Sequence, residues 1–242
     1  MPWNESWRLK LRRRVRKPYN ALFHRDYFIA GYLGAKFLLA PHGIGTLEMS
    51  AGISERPELE HFMHRCRELE PECIIDIGAN IGMYSCIALK NRCVPRAILF
   101  EPDIRNRAQL AANLLMNDLI ATTEVHPIAL GNVEGSFHLL PGAVDGGFSR
   151  IATAAEPGSY EVPVRRLDDM ISISGRRLAI KIDVEGFEHQ VIDGMRSTLC
   201  NNECLVQIES FKSEPLIREL QSLGYRLTND FMPNFVFENR SK

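Results

Sequence analysis

The chain has 242 residues, with 45% hydrophobic and 24% charged side chains. Those proportions suit a soluble globular protein and exclude wholesale disorder, a collagen-like repeat and a coiled coil. The net charge of −1 hides an asymmetry: residues 1–26 hold eight Lys/Arg against Glu5 and Asp26, a net +6, which leaves −7 for the rest.

No run of 18 apolar residues occurs, so no membrane-spanning helix is expected. The most apolar early stretch, Tyr27 to Ala40, contains Lys36 and two glycines. No secretory signal is visible: the basic N-terminus is not followed by an uninterrupted apolar core. Six cysteines are too few for a disulfide scaffold. Cys200 and Cys204 lack a second Cys/His pair, so no zinc site is expected and the thiols are read as reduced and cytoplasmic.

In chain order, Trp3, Trp7, Leu11 and Val15 recur every four residues, with basic residues between them. That is a helical period with an apolar stripe and a cationic face. Its composition suits an anionic membrane surface through residues 3–17; nucleic acid is the weaker alternative, and a solvated or partner-packed arm the bland one. Residues 27–72 read as a cap. Within it, Tyr27–Ala40 and Gly43–Met49 form a hairpin about Pro41-His42-Gly43. A helix follows over 57–69, with Leu59, Phe62, Met63, Cys66 and Leu69 on one face.

Residues 73–242 form the main domain, where strand and helix alternate. Strands are predicted at Cys73–Ile77, Ala97–Phe100, Thr123–Leu130, Leu178–Ile182 and Cys204–Glu209. Helices are predicted at 81–89, 103–117, 187–199 and 215–223. Asp103 caps the second of these, with Ala108, Leu110, Ala111, Leu114 and Leu115 as its apolar stripe. Gly135–Leu140 and Tyr160–Val164 read as antiparallel strands flanking a glycine-rich loop, 141–159, which suits a lid. Tyr225–Thr228 and Asn234–Glu238 close the chain as a strand pair. The pattern predicts a mostly parallel sheet with helices on both faces and an antiparallel strand at its end.

The sharpest local feature is Asp76-Ile77-Gly78-Ala79-Asn80-Ile81-Gly82: a buried strand ends in Asp, and Gly-x-x-x-Gly leads into a helix. A pyrophosphate cofactor such as NAD would want G-x-G-x-x-G and no carboxylate beside it. Here Asn80 takes the middle glycine position, and Asp76 would repel pyrophosphate. A carboxylate suits a ligand carrying sulfonium and ammonium, which describes S-adenosylmethionine. Glu101, followed by Pro102, lies 25 residues after Asp76 at the next strand end, where it can accept from ribose hydroxyls.

A second acidic group comprises Asp183, Glu185, His189 and Glu209. Asp183 and Glu209 end neighbouring strands, so both should reach the rim of Asp76 and Glu101. Lys181 shares the strand face of Asp183. Asp183 leads as base or substrate-orienting acid, Glu185 and His189 follow as candidates, and Glu209 and Lys181 complete the catalytic set. Glu185 read alone suits a first-turn dipole partner, His189 an exposed helix position, and Glu209 a structural acceptor. Lys181 either tunes the carboxylate or binds the acceptor. Asp168 is read as the cap of a helix over 169–173, and His126 as a packed strand residue. The same oxygens would suit magnesium, although no metal site is predicted.

The segments DIGANIGMYS (Asp76–Ser85), FEPD (Phe100–Asp103), Leu167-Asp168-Asp169, KIDVEGFE (Lys181–Glu188) and QIES (Gln207–Ser210) resemble the FkbM family of S-adenosylmethionine-dependent methyltransferases. DIGANIG marks the broad methyltransferase class, and KIDVEGFE in this order is more specific. The resemblance covers residues 55–212. It implies a Rossmann-like class I methyltransferase fold, with a seven-stranded sheet and an antiparallel terminal strand. It also implies O-methylation of a hydroxyl on a sugar, glycan or natural-product-like acceptor. Two other readings are a non-catalytic membrane-associated scaffold that keeps the nucleoside pocket, and an NAD-dependent oxidoreductase, which Asn80 and Asp76 disfavour.

Overall fold

A computed structural model describes residues 27–39, 52, 55–141, 149–152, 154–211 and 213–239. The basic arm, the turn at Pro41-His42-Gly43 with its second limb, and the tip of the glycine-rich loop lie outside the described residues. Among the described residues no helix is long and apolar enough to cross a membrane.

The stretch read as one strand over 27–40 folds back on itself. Strands β1 (Phe28–Tyr32) and β2 (Ala35–Leu39) pair antiparallel, with Tyr32 opposite Ala35. The two-residue turn between them has φ 44° at Leu33 and 85° at Gly34. Two left-handed residues match the twist of a tight hairpin. Leucine is a poor residue for that conformation, and outside help holds it: the Asn91 amide donates to the Leu33 carbonyl at 2.7 Å. Helix α1 (Arg56–Leu69) starts with Pro57 in its first turn and buries the five predicted residues.

The main sheet has seven strands. β3 (Cys73–Ile77) lies at its centre, next to β4 (Ala97–Phe100) and then β5 (Thr123–His126). On its other side run β10 (Arg177–Ile182), β11 (Glu203–Glu209), β13 (Asn234–Glu238) and β12 (Arg226–Asp230). β13 is antiparallel to both of its neighbours. The last strand in sequence therefore inserts one place inside the edge, and β12 forms the edge itself. β3, β4, β10 and β11 are almost wholly buried, as strands covered on both faces should be.

The predicted strand over 123–130 is divided. Pro127 has no N–H to donate. The chain leaves the main sheet after β5 and enters a smaller one through β6 (Ala129–Leu130). That sheet runs β6, β9 (Tyr160–Arg165), β7 (Gly135–Leu140), β8 (Arg150–Ala152). β7 and β9 are antiparallel, as expected.

Helix α2 (Met83–Lys90) follows β3, and helix α3 (Ile104–Met116) follows β4. Asp103 caps α3 by accepting from the Arg105 amide. The predicted stripe on α3 needs correction. Leu110 and Leu114 are buried, but Ala108, Ala111 and Leu115 are not part of that buried stripe, and Leu115 is exposed. The inward stripe continues instead through Asn113 and Asn117, both buried.

These amides serve an open strand edge. Asn113 accepts from the Leu38 amide at 2.7 Å, and Asn117 accepts from the Lys36 amide at 2.9 Å. Asn117 also donates to the Lys36 carbonyl at 2.7 Å, and Gln109 donates to the Leu38 carbonyl. Residues 109, 113 and 117 repeat every four positions, so one helix face replaces the missing neighbour of β2.

The predicted helix over 187–199 breaks at Met195, into α5 (Glu188–Gly194) and α6 (Arg196–Cys200). Asp168 lies in the short helix α4 (Leu167–Met170) and does not cap it; its carboxylate accepts from the Ser197 and Thr198 amides at 2.8 and 2.9 Å. It thus caps α6 from a distant part of the chain, satisfying donors that Met195 cannot reach. Helix α7 (Ser213–Ser222) completes the layer. The described cysteines are free thiols, all buried except Cys200.

Asn113 donates to the Ile81 carbonyl at 2.8 Å as well as accepting from Leu38. Asn113→Ala leaves both groups unpaired and should cost about 3 kcal/mol in urea denaturation. Ala108→Ser, on the exposed side of the helix, should stay within about 0.5 kcal/mol of wild type.

Candidate active site

Neighbours in register share a face of the sheet. Asp76 on β3 pairs with Lys181 on β10, and Lys181 with Gln207 on β11. One polar row therefore crosses three central strands of an otherwise apolar sheet. Two residues further along, at the carboxyl ends, come Gly78, Asp183 and Glu209, with Asn234 of β13 opposite Glu209. α1 and α2 cover this face.

The glycine loop is built by close contact between strands. Gly78 has φ 76°, and a Cβ there would lie 1.9 Å from the Asp183 carbonyl oxygen. The Asp183 amide donates to the Ile77 carbonyl at 2.9 Å, so the start of the loop and the end of β10 lock together. Gly82 has φ 80°, and a Cβ there would lie 2.4 Å from Leu110 Cδ1 on α3. Both glycines are thus required by packing before any ligand arrives. Asn80 is left-handed at φ 51°, a conformation asparagine tolerates better than most residues.

Asp76 is turned inward. It is 2% exposed, and its Oδ2 accepts from Ser85 Oγ at 2.6 Å. Burial pushes its carboxyl up to about 6, against the Ser85 hydrogen bonds and the pull of Lys181. Its direct partner is therefore the first turns of α2, and any influence on a ligand passes through that turn.

Glu101 is also buried. It accepts from the Asn80 amide at 2.7 Å and from the Asp103 amide at 2.8 Å, with Asn106 at 3.4 Å. Burial raises its carboxyl to about 7 despite these donors. A carboxylate offers about four acceptor directions. Three are used, and the one left over, with the unrelieved desolvation, fits a ribose hydroxyl arriving as a donor. Pro102 follows with its carbonyl taken by Arg107. Next to it, Ser149 donates to Asp103 at 2.7 Å, and Tyr160 accepts from the Ile104 amide at 3.1 Å. The small sheet is thereby tied to the start of α3.

Lys181 is 2% exposed. Its ammonium donates to Asn234 Oδ1 at 3.0 Å, lies 3.8 Å from Asp183 Oδ2, and sits 4.9 Å from the centre of the Tyr84 ring. Burial alone would lower its pKa, but Asp183, Glu55, Glu209 and Asp76 together outweigh that and raise it. Burial and the Asp183 charge raise Glu209 to about 7, and the same two causes raise Glu185 to about 7. Glu185 and Gly186 are both left-handed, at φ 52° and 96°, and form the turn out of β10.

The structure thus brings Lys181, Asp183, Glu185 and Glu209 together. His189 is engaged elsewhere: its Nδ1 lies 2.6 Å from Glu219 of α7, which also takes Arg196 at 3.0 Å. That is a tie between helices, and it departs from the catalytic place expected for His189. Among the described residues no three His, Cys, Asp or Glu side chains are arranged to hold a metal ion. Sequence reasoning missed Ser85, Tyr84, Gln207, Asn234 and Glu55. The polar residues inside apolar strands, Gln207 and Asn234, were the available signal.

The raised carboxyls fix the sign of a pH effect. Glu101 rises from 4.5 to about 7, so the folded state binds the proton more tightly than the unfolded chain between those values. This stability is fully present below the unfolded value and is lost as pH rises through about 7. The donor-free protein should therefore melt at lower temperature at about pH 7.5 than at about pH 5.5. Glu101→Gln should flatten that difference in a calorimetric pH series.

A methyltransferase FkbM from Methylobacillus flagellatus KT shares this fold with a TM-score of 0.52 at 18% identity, over 80% of this chain and 54% of that one. This chain thus spans about half the length of that structure. A tRNA (uracil-54, C5)-methyltransferase from Pyrococcus abyssi, in complex with S-adenosyl-L-homocysteine, matches with a TM-score of 0.49 at 13% identity, over 88% of this chain and 43% of that one. A precorrin-6y C5,15-methyltransferase from Geobacter metallireducens GS-15 matches at 0.47 and 13%, over 78% and 89%. No curated protein matches the sequence. Residues 76–227, from the Asp76 strand end to β12, match the methyltransferase FkbM domain, and the chain belongs to that methyltransferase family.

Proposed function

We propose that this protein transfers the methyl group of S-adenosylmethionine to a hydroxyl of a sugar, glycan or other small natural-product-like acceptor. The observation that carries the reading is the contact of the Asp183 carbonyl with Gly78, which places the base candidate on the rim of the donor loop. Glu101 would hold the donor's ribose. When bound, S-adenosylmethionine supplies an electrophilic methyl group on a sulfonium.

The protein's own share is alignment and proton removal. Orienting an acceptor hydroxyl for in-line displacement supplies several kcal/mol of the barrier. As the new oxygen–carbon bond forms, Asp183 accepts the hydroxyl proton. The ammonium of Lys181, 3.8 Å away, holds that carboxylate in place. Glu209 and Glu185 line the same rim and orient the acceptor through hydrogen bonds.

Calorimetry with S-adenosylhomocysteine should show micromolar binding to the wild type and at least tenfold weaker binding to Glu101→Ala. Asp183→Asn should bind the same ligand normally. In an acceptor screen that starts with glycans, it should lose about 10²-fold or more in turnover. Absence of binding to the wild type sinks the reading.

The reaction is placed in the cytoplasm, with residues 3–17 of the basic arm on an anionic membrane surface. Support comes from seven Lys/Arg between Arg8 and Lys17 behind Trp3 and Trp7. Binding to vesicles containing phosphatidylserine, lost at high salt, is the expected result; equal binding to neutral vesicles overturns this placement.

A further inference from the structure

The described chain before residue 76 lies outside the matched methyltransferase domain, yet it sends one side chain into the site. Glu55 stands at the N-cap of α1 in a left-handed conformation, φ 42° and ψ 33°, and its side chain makes no cap hydrogen bond to its own helix. Glutamate is not a favoured N-cap residue, and a non-glycine residue at positive φ is costly. The carboxylate is used elsewhere: Glu55 Oε2 accepts from the Tyr84 hydroxyl at 2.8 Å.

Tyr84 is the hub of a buried polar chain. Its ring packs edge-on against Phe62 of α1, at 5.5 Å and 81°, and presents its face to Lys181. Its hydroxyl accepts from Gln207 Nε2 at 2.6 Å. Gln207 Nε2 also donates to Asn234 Oδ1 at 3.2 Å, the same oxygen that takes the Lys181 ammonium at 3.0 Å.

The direction of this chain is fixed from both ends. An ionised carboxylate only accepts, and an ammonium only donates. The single hydroxyl proton of Tyr84 goes to Glu55, so Gln207 must offer it an N–H. Asn234 must then turn its oxygen towards both Gln207 and Lys181. The arrangement leaves Gln207 Oε1 buried without a partner among the described residues.

We propose that Glu55 and Tyr84 are positioning residues for Lys181. Through Gln207 and Asn234 they hold the ammonium that in turn fixes Asp183, so the cap is a working part of the site. The inference rests on the proposed roles of Lys181 and Asp183. A cap that is mispositioned releases the Tyr84 hydroxyl, frees the two amides to reorient and loosens the ammonium. Docking of the cap and readiness of the base are therefore linked.

The test reads Lys181 directly. In 15N spectra of lysine ammonium groups, wild type should show one slowly exchanging signal, assigned by its absence in Lys181→Met. Tyr84→Phe keeps the ring and removes only the hydroxyl; it should speed exchange of that signal at least tenfold. Glu55→Ala should do the same, while Glu55→Gln, which still offers an acceptor, should restore slow exchange. If Tyr84→Phe does not fold, the two Glu55 variants carry the comparison. A purely structural role would lower the melting temperature of these variants and leave the exchange rate alone. Wild-type exchange in both Tyr84→Phe and Glu55→Ala, or an unprotected Lys181 signal in the wild type, overturns the proposal. Binding of S-adenosylhomocysteine is measured alongside and should stay within threefold of wild type in each variant. Its loss in the wild type would sink the proposed reaction without altering the ammonium result, so the two failures are told apart.

Discussion

A charged ammonium inside the sheet sets the terms for everything around it. Lys181 is buried in the middle of the parallel strands. An unpaired charge there would cost several kcal/mol. Its neighbours in register are accordingly Asp76 and Gln207, with Asn234 within hydrogen-bond reach and Asp183 on the same face. The opposite face of the same strands carries Ile75, Ile77, Ile180, Ile182, Val206 and Ile208, and has no such demand. One face of the sheet is therefore core alone, while the other sets a polar row within a core of its own, where Ile74, Ala179, Leu205 and Val236 are buried. The chain gives up some hydrophobic stabilisation to keep that distinction.

Much of this was legible because parallel strands make it so. Each strand's carboxyl end reaches the same rim, so Asp183 and Glu209 could be placed together from strand ends alone, whereas Asp76 lies two residues short of that rim and turns inward. The strands themselves announced their bounds by short apolar runs stopped by glycine or an acid. What stayed hidden depends on register and on helix faces. Nothing in local sequence says that Asn234, on an antiparallel strand inserted from the end of the chain, lies beside Lys181. Nor does it say that Tyr84 turns its hydroxyl to Gln207. The same limit explains α3, where Leu115 looked like core by period and Asn113 was not counted in the stripe. The open edge of β2 reversed both, because backbone groups without a partner outweigh one exposed leucine. The turn at Leu33-Gly34 was missed because leucine is not a turn residue; its conformation is held by Asn91, far along the chain.

The glycines also have a different reason from the one the pattern suggests. Gly-x-x-x-Gly reads as room for a ligand. At Gly78 the room is already taken by the Asp183 carbonyl, and at Gly82 by Leu110. Two neighbouring elements therefore pack directly against the loop. That serves binding well, since a loop held by its scaffold has little entropy left to lose when a ligand arrives.

Electrostatics then favours a particular kind of ligand. Glu55, Asp183, Glu185 and Glu209 surround one ammonium, and Glu185 and Glu209 are both pushed up to about 7. Amides in place of these acids would relieve the repulsion and stabilise the empty fold. Retaining acids stores unfavourable energy at the rim, in the way functional sites often do. A cationic group is what releases it. The proposed donor carries a sulfonium at its reacting centre and gives up that charge on transfer, becoming a neutral thioether. The attraction of the acidic rim is therefore strongest for the donor and weakest for its product. Lys181 keeps this from becoming indiscriminate: it is a positive charge already set among the acids, 3.8 Å from Asp183, so a cationic ligand meets a rim that is partly neutralised.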